Sequence, residues 1–395
     1  MTRAPVPIAV LYSRSGPYAG LGREAVDGLM TAIAEVNADA AYPFRLSPVI
    51  CDPGGVAETY GAMADATLKA TNCRHVVGTI TSWSRKEVIP VVERHDALLW
   101  YAFPYEGYEA NDHVLYFGAC PNQHLLPLFA HVVPRFGDRP FLIGSDYIWG
   151  WEINRIAREC IEAAGGAVLG ERYVPLNSVS VDPLIDEIRS RQPDFVLSNL
   201  VGPAAQAFVR AYHRLGRSDP AFAPSIRPIV SCNATETDIA EIGAAAEGLI
   251  VAAIYFDVLA TPENRAFKAR LKARHGADRQ ISGPYASVYS AVSVLAAAIR
   301  EAGTDAPAAV RAVVTARPFD TPLGRIAVDP KTHHAALRPH IGRARDNGQF
   351  EVFESAAAML PADPYLLDSA PPGGLVDQRM IARSSGHATL LKVVK

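Results

Sequence analysis

The sequence predicts an α/β protein built as two doubly wound parallel-sheet lobes, and three observations carry that prediction. Short apolar, β-branched runs alternate with helical stretches from the first residues onward. The strand runs are apolar on both faces, as in parallel sheets covered by helices on each side. The alternation then restarts near Cys120, and 395 residues at about 150 per domain allow two to three domains.

The elements follow in order. Ile8–Leu11 is the first strand, with a Ser/Gly/Pro loop from Ser13 to Gly20 behind it. Ala25, Leu29, Ala32, Ile33 and Val36 line one face of the next helix. Pro48–Cys51 reads as a strand ending in the turn Asp52-Pro53-Gly54-Gly55. A helix from about Ala57 to Thr71 and a strand at His75–Thr79 follow. Ser84-Arg85-Lys86-Glu87 has the spacing of a capping box and is expected to open a helix carrying Val88, Ile89, Val91 and Val92. Ala97–Tyr101 is the next strand.

The second series runs Pro140–Gly144 (strand), Trp151–Ala164 (helix), Ala167–Tyr173 (strand), Asp182–Arg191 (helix) and Asp194–Asn199 (strand). Pro203–Leu215, Ile229–Ser231, Glu236–Ala245 and Leu249–Ile254 continue it. Two helices, about Thr261–His275 and Pro284–Ala302, precede an antiparallel region. Its strands are Arg325–Val328, Arg338–Arg345 and Gln349–Glu354, with Asn347-Gly348 as a hairpin turn. Ligand is expected at the carboxyl ends of the strands, in the cleft between the lobes.

Composition narrows the function. With 49% hydrophobic and 20% charged residues, extended disorder is excluded. Lys+Arg 38 against Asp+Glu 41 leaves a net charge of −3, without the basic cluster that direct nucleic-acid binding needs. No apolar run is long enough to span a bilayer. The first residues, MTRAPVPIAVLYSRSG, read as a strand and not as a secretory signal, so a cytoplasmic protein is expected. Cys51, Cys73, Cys120, Cys160 and Cys232 are scattered and odd in number, which suits isolated, mostly buried thiols.

Catalytic signatures are missing. There is no G-x-x-x-x-G-K-[ST], H-E-x-x-H, G-x-S-x-G or EF-hand pattern. Gly20-Leu21-Gly22 lacks the third glycine of a dinucleotide fingerprint, so no cofactor is expected. His333-His334 reads as a solvated loop and not as a metal pair, and Asp182, Asp186 and Glu187 as an exposed helix face. No catalysis and no metal are expected.

Small polar and aromatic residues do gather at strand-to-helix junctions. Ile80-Thr81-Ser82-Trp83-Ser84 follows a strand, and the Ser82 hydroxyl beside free helix amides suits a carbonyl or an anion, or else simple capping. Tyr101-Ala102-Phe103-Pro104-Tyr105-Glu106-Gly107-Tyr108 puts four aromatics after a buried strand, as a ligand-stacking wall or as core. Gly144-Ser145-Asp146-Tyr147-Ile148-Trp149 occupies the same topological place in the second series. Asn233 and Thr235 are candidate polar contacts, and Glu236 is the acid that a ligand ammonium group would need.

These segments carry a family resemblance. Asp52-Pro53-Gly54-Gly55, Ser84 to Arg94, Pro104-Tyr105-Glu106-Gly107, Cys120-Pro121-Asn122-Gln123, Gly144 to Ile148 and Asp363-Pro364-Tyr365 resemble the type I periplasmic-binding-protein fold. Within it they resemble the amide sensors of bacterial aliphatic amidase operons, over roughly residues 6–367. The resemblance implies a hinge of three crossovers, with lobes at 6–118 plus 252–328 and 119–251 plus 329–367, and a tail at 368–395. It implies a small amide-like ligand met by Ser82, with Ile80, Thr81, Tyr101, Phe103, Pro104, Tyr147 and Trp149 around it. Ile80 and Trp149 stand where those sensors carry tyrosine and Phe103 where they carry threonine, so a bulkier or more apolar amide or urea-like compound is expected. The implied protein partner is an antiterminator that the sensor controls, with self-association left open. The alternative reading is the solute-binding component of an ABC transporter for amides, urea or branched-chain amino acids.

Overall fold

The computed structural model describes residues 3–176, 178–276 and 279–369. The chain divides into two compact units: residues 1–119 with 259–337, and 120–258 with the segment from Arg338 on.

The first unit opens with β1 (Ala4–Leu11), α1 (Ala19–Ala38), β2 (Phe44–Cys51), α2 (Ala57–Ala70), β3 (His75–Gly78), α3 (Ser82–Arg94), β4 (Leu98–Tyr101) and β5 (Val114–Tyr116). Its sheet has the order β2-β1-β3-β4-β5 and every pairing is parallel. Ile8, Ala9, Val10 and Leu11 are fully buried, which is why the centre of the sheet reads as an unbroken apolar run.

The second unit begins with α4 (Leu125–Phe136), β6 (Phe141–Ser145), α5 (Ile148–Ala163), β7 (Gly170–Val174), α6 (Asp182–Arg191) and β8 (Val196–Asn199). It continues through α7 (Gly202–Ser218), β9 (Ile229–Ser231), α8 (Glu236–Ile242) and β10 (Ile250–Ala253).

The chain then returns to the first unit for α9 (Pro262–His275), α10 (Gly283–Ala302), α11 (Pro307–Ala316) and the small hairpin β11 (Phe319–Thr321) and β12 (Gly324–Ile326). Helices α1 and α10 approach so closely that a Cβ on Gly28 would stand 2.3 Å from the Tyr285 carbonyl oxygen. Only glycine allows that contact. Finally β13 (His340–Ala344) and β14 (Phe350–Ser355) add antiparallel strands to the second sheet, whose order is β14-β13-β10-β9-β8-β6-β7.

The doubly wound architecture matches the expectation in each unit, while the boundaries differ. Strand β10 pairs with β9 and β13, so the chain leaves the second unit after Val258 and not after residue 251. Tyr116 bridges to His334 and Val328 to Ala335, which keeps 329–337 on the first unit. Of the expected tail 368–395, residues 370–395 lie outside the described residues. Helix α3 starts at Ser82 and not at Ser84: Thr81 caps it, its Oγ1 accepting from the Ser84 amide at 3.2 Å while Ser84 Oγ accepts from the Thr81 amide at 3.2 Å. The seryl hydroxyl at the third helical position therefore closes the box three residues upstream of the expected one. Strand β5 and helices α4 and α11 had no sequence expectation. The cysteines are free thiols, four of them buried, as expected.

Candidate functional site

In the first unit, β1, β3 and β4 are neighbours, so the loops after Leu11, Gly78 and Tyr101 share the carboxyl edge of one sheet. Ligands of open α/β sheets bind at such an edge. Six of the expected residues are brought together here: Ile80, Thr81 and Ser82 from the β3–α3 junction, and Tyr101, Phe103 and Pro104 from the end of β4 and its loop. All are buried except Pro104, which is half-buried. The Tyr101 hydroxyl donates to the Ile80 carbonyl at 3.0 Å, tying the two loops together. The Phe103 ring lies 6.0 Å from Tyr12, giving the edge an aromatic surface. The buried Tyr12 hydroxyl has no hydrogen-bond partner among the described residues, and burial raises its pKa.

Ser82 is the first residue of α3, where the helix has backbone amides without intrahelical acceptors. Its hydroxyl does not cap the helix, because Thr81 does. It donates to Glu106 Oε2 and accepts from Arg85 Nη1 at 3.3 Å. Its rotamer is thus set by two charged groups of opposite sign.

Sequence reading missed the charged cluster behind Ser82. Arg85 is wholly buried, with Nε 2.7 Å from Glu109 Oε1 and Nη2 3.4 Å from Glu106 Oε1. Its guanidinium carbon lies 4.5 Å from both the Tyr101 and the Tyr105 ring centroids. Lys86 reaches Glu109 Oε2 at 3.1 Å, so two cations face two carboxylates. Burial works to raise the Glu109 pKa, but the charge and hydrogen bond of Arg85, with Lys86 and the Tyr116 hydroxyl, outweigh it and bring it down to about 2. The signal available in sequence was the i, i+3 pair Ser82 and Arg85, with Glu106 and Glu109 at the same spacing.

The expected solvated pair His333-His334 is buried instead, because both rings find partners in the core of this unit. His334 stacks on Tyr116 with centroids 4.0 Å apart and planes 2° from parallel. Its Nδ1 donates to the Thr332 carbonyl at 2.6 Å, which leaves Nε2 to accept from the Tyr105 hydroxyl. Burial pushes its pKa down to about 4. Tyr105 is therefore core, whereas Tyr108 stands exposed at φ 56°. The aromatic run after β4 divides between core and surface.

In the second unit, β6, β8 and β9 also end along one edge. Tyr147 precedes the first turn of α5, and Tyr147 and Trp149 are buried members of this unit's apolar cluster. The Trp149 ring lies 5.6 Å from His124, and its Nε1 has no hydrogen-bond partner among the described residues. Asn233 donates to the Leu200 carbonyl at 2.9 Å and accepts from Ser231 Oγ at 3.0 Å. Thr235 caps α8 and donates to Asp238 Oδ2 at 2.8 Å. Glu236 accepts from the Asp257 amide at 2.9 Å. The polar groups of these three residues hold the β9–α8 junction. Asp182 and Asp186 are exposed on α6, and Glu187 pairs with Arg172 at 2.7 Å, as an exposed charged face requires.

The family model for a periplasmic binding protein domain matches residues 6–370, and the chain belongs to that family. Among curated relatives, it is 28% identical over 137 residues to a limonene hydroxylase of Geobacillus stearothermophilus, matching 34% of this chain and 25% of that protein. It is 26% identical over 223 residues to Leu/Ile/Val-binding protein homolog 6 of Brucella melitensis, matching 53% of this chain and 55% of that protein. The chain thus spans a quarter to about half the length of these relatives. A solute-binding protein of an ABC transporter from Rhodopseudomonas palustris, solved with p-hydroxybenzoic acid, superposes with a TM-score of 0.81 at 21% identity, covering 92% of this chain and 99% of that one. At that identity the likeness shows the fold: type I periplasmic binding, in two α/β lobes. The chain is accordingly a ligand-binding protein of the periplasmic-binding-protein family.

Proposed function

We propose that the protein is the solute-binding component of an uptake transporter for a small neutral amide- or urea-like molecule with an apolar substituent, and that it binds without catalysis. The observation that carries this reading is Ser82. Its hydroxyl stands at the start of α3, oriented by Glu106 and Arg85, next to helix amides that suit a carbonyl oxygen. A ligand nitrogen then finds its acceptor in Ser82 Oγ or Glu106. The balance of Arg85 and Lys86 against Glu106 and Glu109 favours a neutral head group over an anion or an ammonium group. Ile80, Phe103 and Tyr12 supply an apolar and aromatic surface for its substituent. The transport assignment is supported by the family and by the named roles of the Brucella and Rhodopseudomonas proteins.

The second reading is the amide sensor that controls an antiterminator from within the cytoplasm. It is favoured by Ser82, Tyr101 and Pro104 standing together at one sheet edge, where the resemblance assigns them. Uptake of labelled benzamide or butyramide by the source cells, with and without this gene, separates the two. Loss of uptake supports transport; unchanged uptake with lost induction of an amidase supports sensing.

A further inference from the structure

We propose, resting on the amide reading of the Ser82 site, that the Tyr12 hydroxyl donates a hydrogen bond to the ligand, whose apolar substituent therefore carries an acceptor oxygen. Tyr12 is the first residue past β1, and β1 lies next to β3, whose following loop holds Ile80, Thr81 and Ser82. On the far side of β3, the loop after β4 brings the Phe103 ring to 6.0 Å from the Tyr12 ring. The two rings thus meet at the end of β3, on the same sheet edge as Ser82.

Neighbouring tyrosines single this hydroxyl out. Tyr18 donates to the Gly55 carbonyl at 2.9 Å, Tyr60 shares a hydrogen bond of 2.7 Å with Ser13 Oγ, and Tyr101 donates to the Ile80 carbonyl at 3.0 Å. Tyr12 is fully buried, yet its hydroxyl has no partner among the described residues. Burial raises its pKa well above the ordinary value, and the Tyr101 and Tyr60 hydroxyls add to the rise, so at neutral pH it is a phenol with a proton to give. A buried donor left unmade is costly, whereas a phenyl ring would pack on Phe103 without that cost. The Phe103 side chain offers the hydroxyl only carbon. A neutral ether, hydroxyl or carbonyl oxygen on the ligand completes it without bringing a charge into a position that excludes water.

The test is a calorimetric titration of the full chain and of Tyr12→Phe with two isosteric pairs, butyramide with methoxyacetamide and pentanamide with 3-methoxypropionamide. Within each pair one methylene is exchanged for an ether oxygen, and the two pairs place that oxygen at different distances from the amide. In the parent, one of the ethers is expected to bind at least as tightly as its hydrocarbon partner. In Tyr12→Phe that ether is expected to lose about tenfold relative to its partner. The melting temperature of the unliganded chain is expected to hold, because the variant removes a hydroxyl that has no partner among the described residues. An ether-to-hydrocarbon ratio unchanged by the variant, with amides still bound by the parent, would overturn the role of Tyr12 and leave the Ser82 reading standing. Binding of no amide by the parent would overturn both. A lower melting temperature of unliganded Tyr12→Phe would show the hydroxyl bonded within the protein and would overturn its role toward the ligand.

Discussion

Arg85 Nε stands 2.7 Å from Glu109 Oε1 in a position that excludes water from the guanidinium altogether. Such a pair gains little over an apolar contact, because desolvation offsets the Coulomb attraction. What it does here is hold Ser82, Tyr101 and Tyr105 in one arrangement around a single planar cation.

Breaking the pair leaves a buried charge short of its partner. Glu109→Gln is expected to cost about 3 kcal/mol, the lower end of the usual range because Glu106 remains beside Arg85. Urea denaturation at neutral pH measures it. A loss below about 1 kcal/mol would mean that Arg85 is hydrated in solution.

Acidification acts on stability through buried histidines first. Burial holds His75, His334 and His340 each at about 4, below the ordinary value near 6.5. A depressed pKa means stability is fully present above pH 6.5 and falls as the pH drops toward 4, by on the order of 3 kcal/mol per ring. Glu109, at about 2, adds a further loss from about pH 4.5 downward. Calorimetry between pH 7 and 4 is expected to show a steep fall, made shallower in His334→Phe. A flat profile would place these rings in contact with water.

Two tryptophans separate a satisfied indole from an unsatisfied one. Trp100 Nε1 donates to His75 Nδ1 at 3.2 Å, whereas Trp149 Nε1 has no partner among the described residues. Trp100→Phe is expected to cost about 1–3 kcal/mol by leaving His75 without its donor, and Trp149→Phe less than about 1 kcal/mol. Melting temperatures of the two variants compare them directly.

Gly118 fixes the loop that carries Phe103. A Cβ there would stand 1.7 Å from the Phe103 carbonyl oxygen, and the atom it meets is backbone. Gly118→Ala is expected to cost about 1–3 kcal/mol and to weaken ligand binding together with stability. A variant as stable as the parent would show that the loop after β4 moves freely.

The alternation of strands and helices was legible because apolar period and turn residues are local signals, and Asp182–Arg191 and Ile229–Ser231 match residue for residue. The junction bearing Ser82 was legible for the same reason. What escaped were long-range partners. His333-His334 reads as polar surface until Tyr116 and Tyr105, more than two hundred residues away, cover it. Arg85 looked like one charge in a capping box, because its partners Glu106 and Glu109 come from the loop after β4. The third crossover was misplaced because an isolated bridge, Tyr116 to His334, has no periodicity to read.

The central claim is tested most directly by thermal shift of the purified chain and of Ser82→Ala against benzamide, butyramide, urea, p-hydroxybenzoate and leucine. A ligand at a hundred times its dissociation constant adds about 2.7 kcal/mol, a visible rise in the midpoint. The account predicts that a neutral amide or urea raises the midpoint of the parent protein, and that Ser82→Ala needs about tenfold more ligand for the same rise. A response confined to leucine or p-hydroxybenzoate, or an equal response in Ser82→Ala, would contradict it.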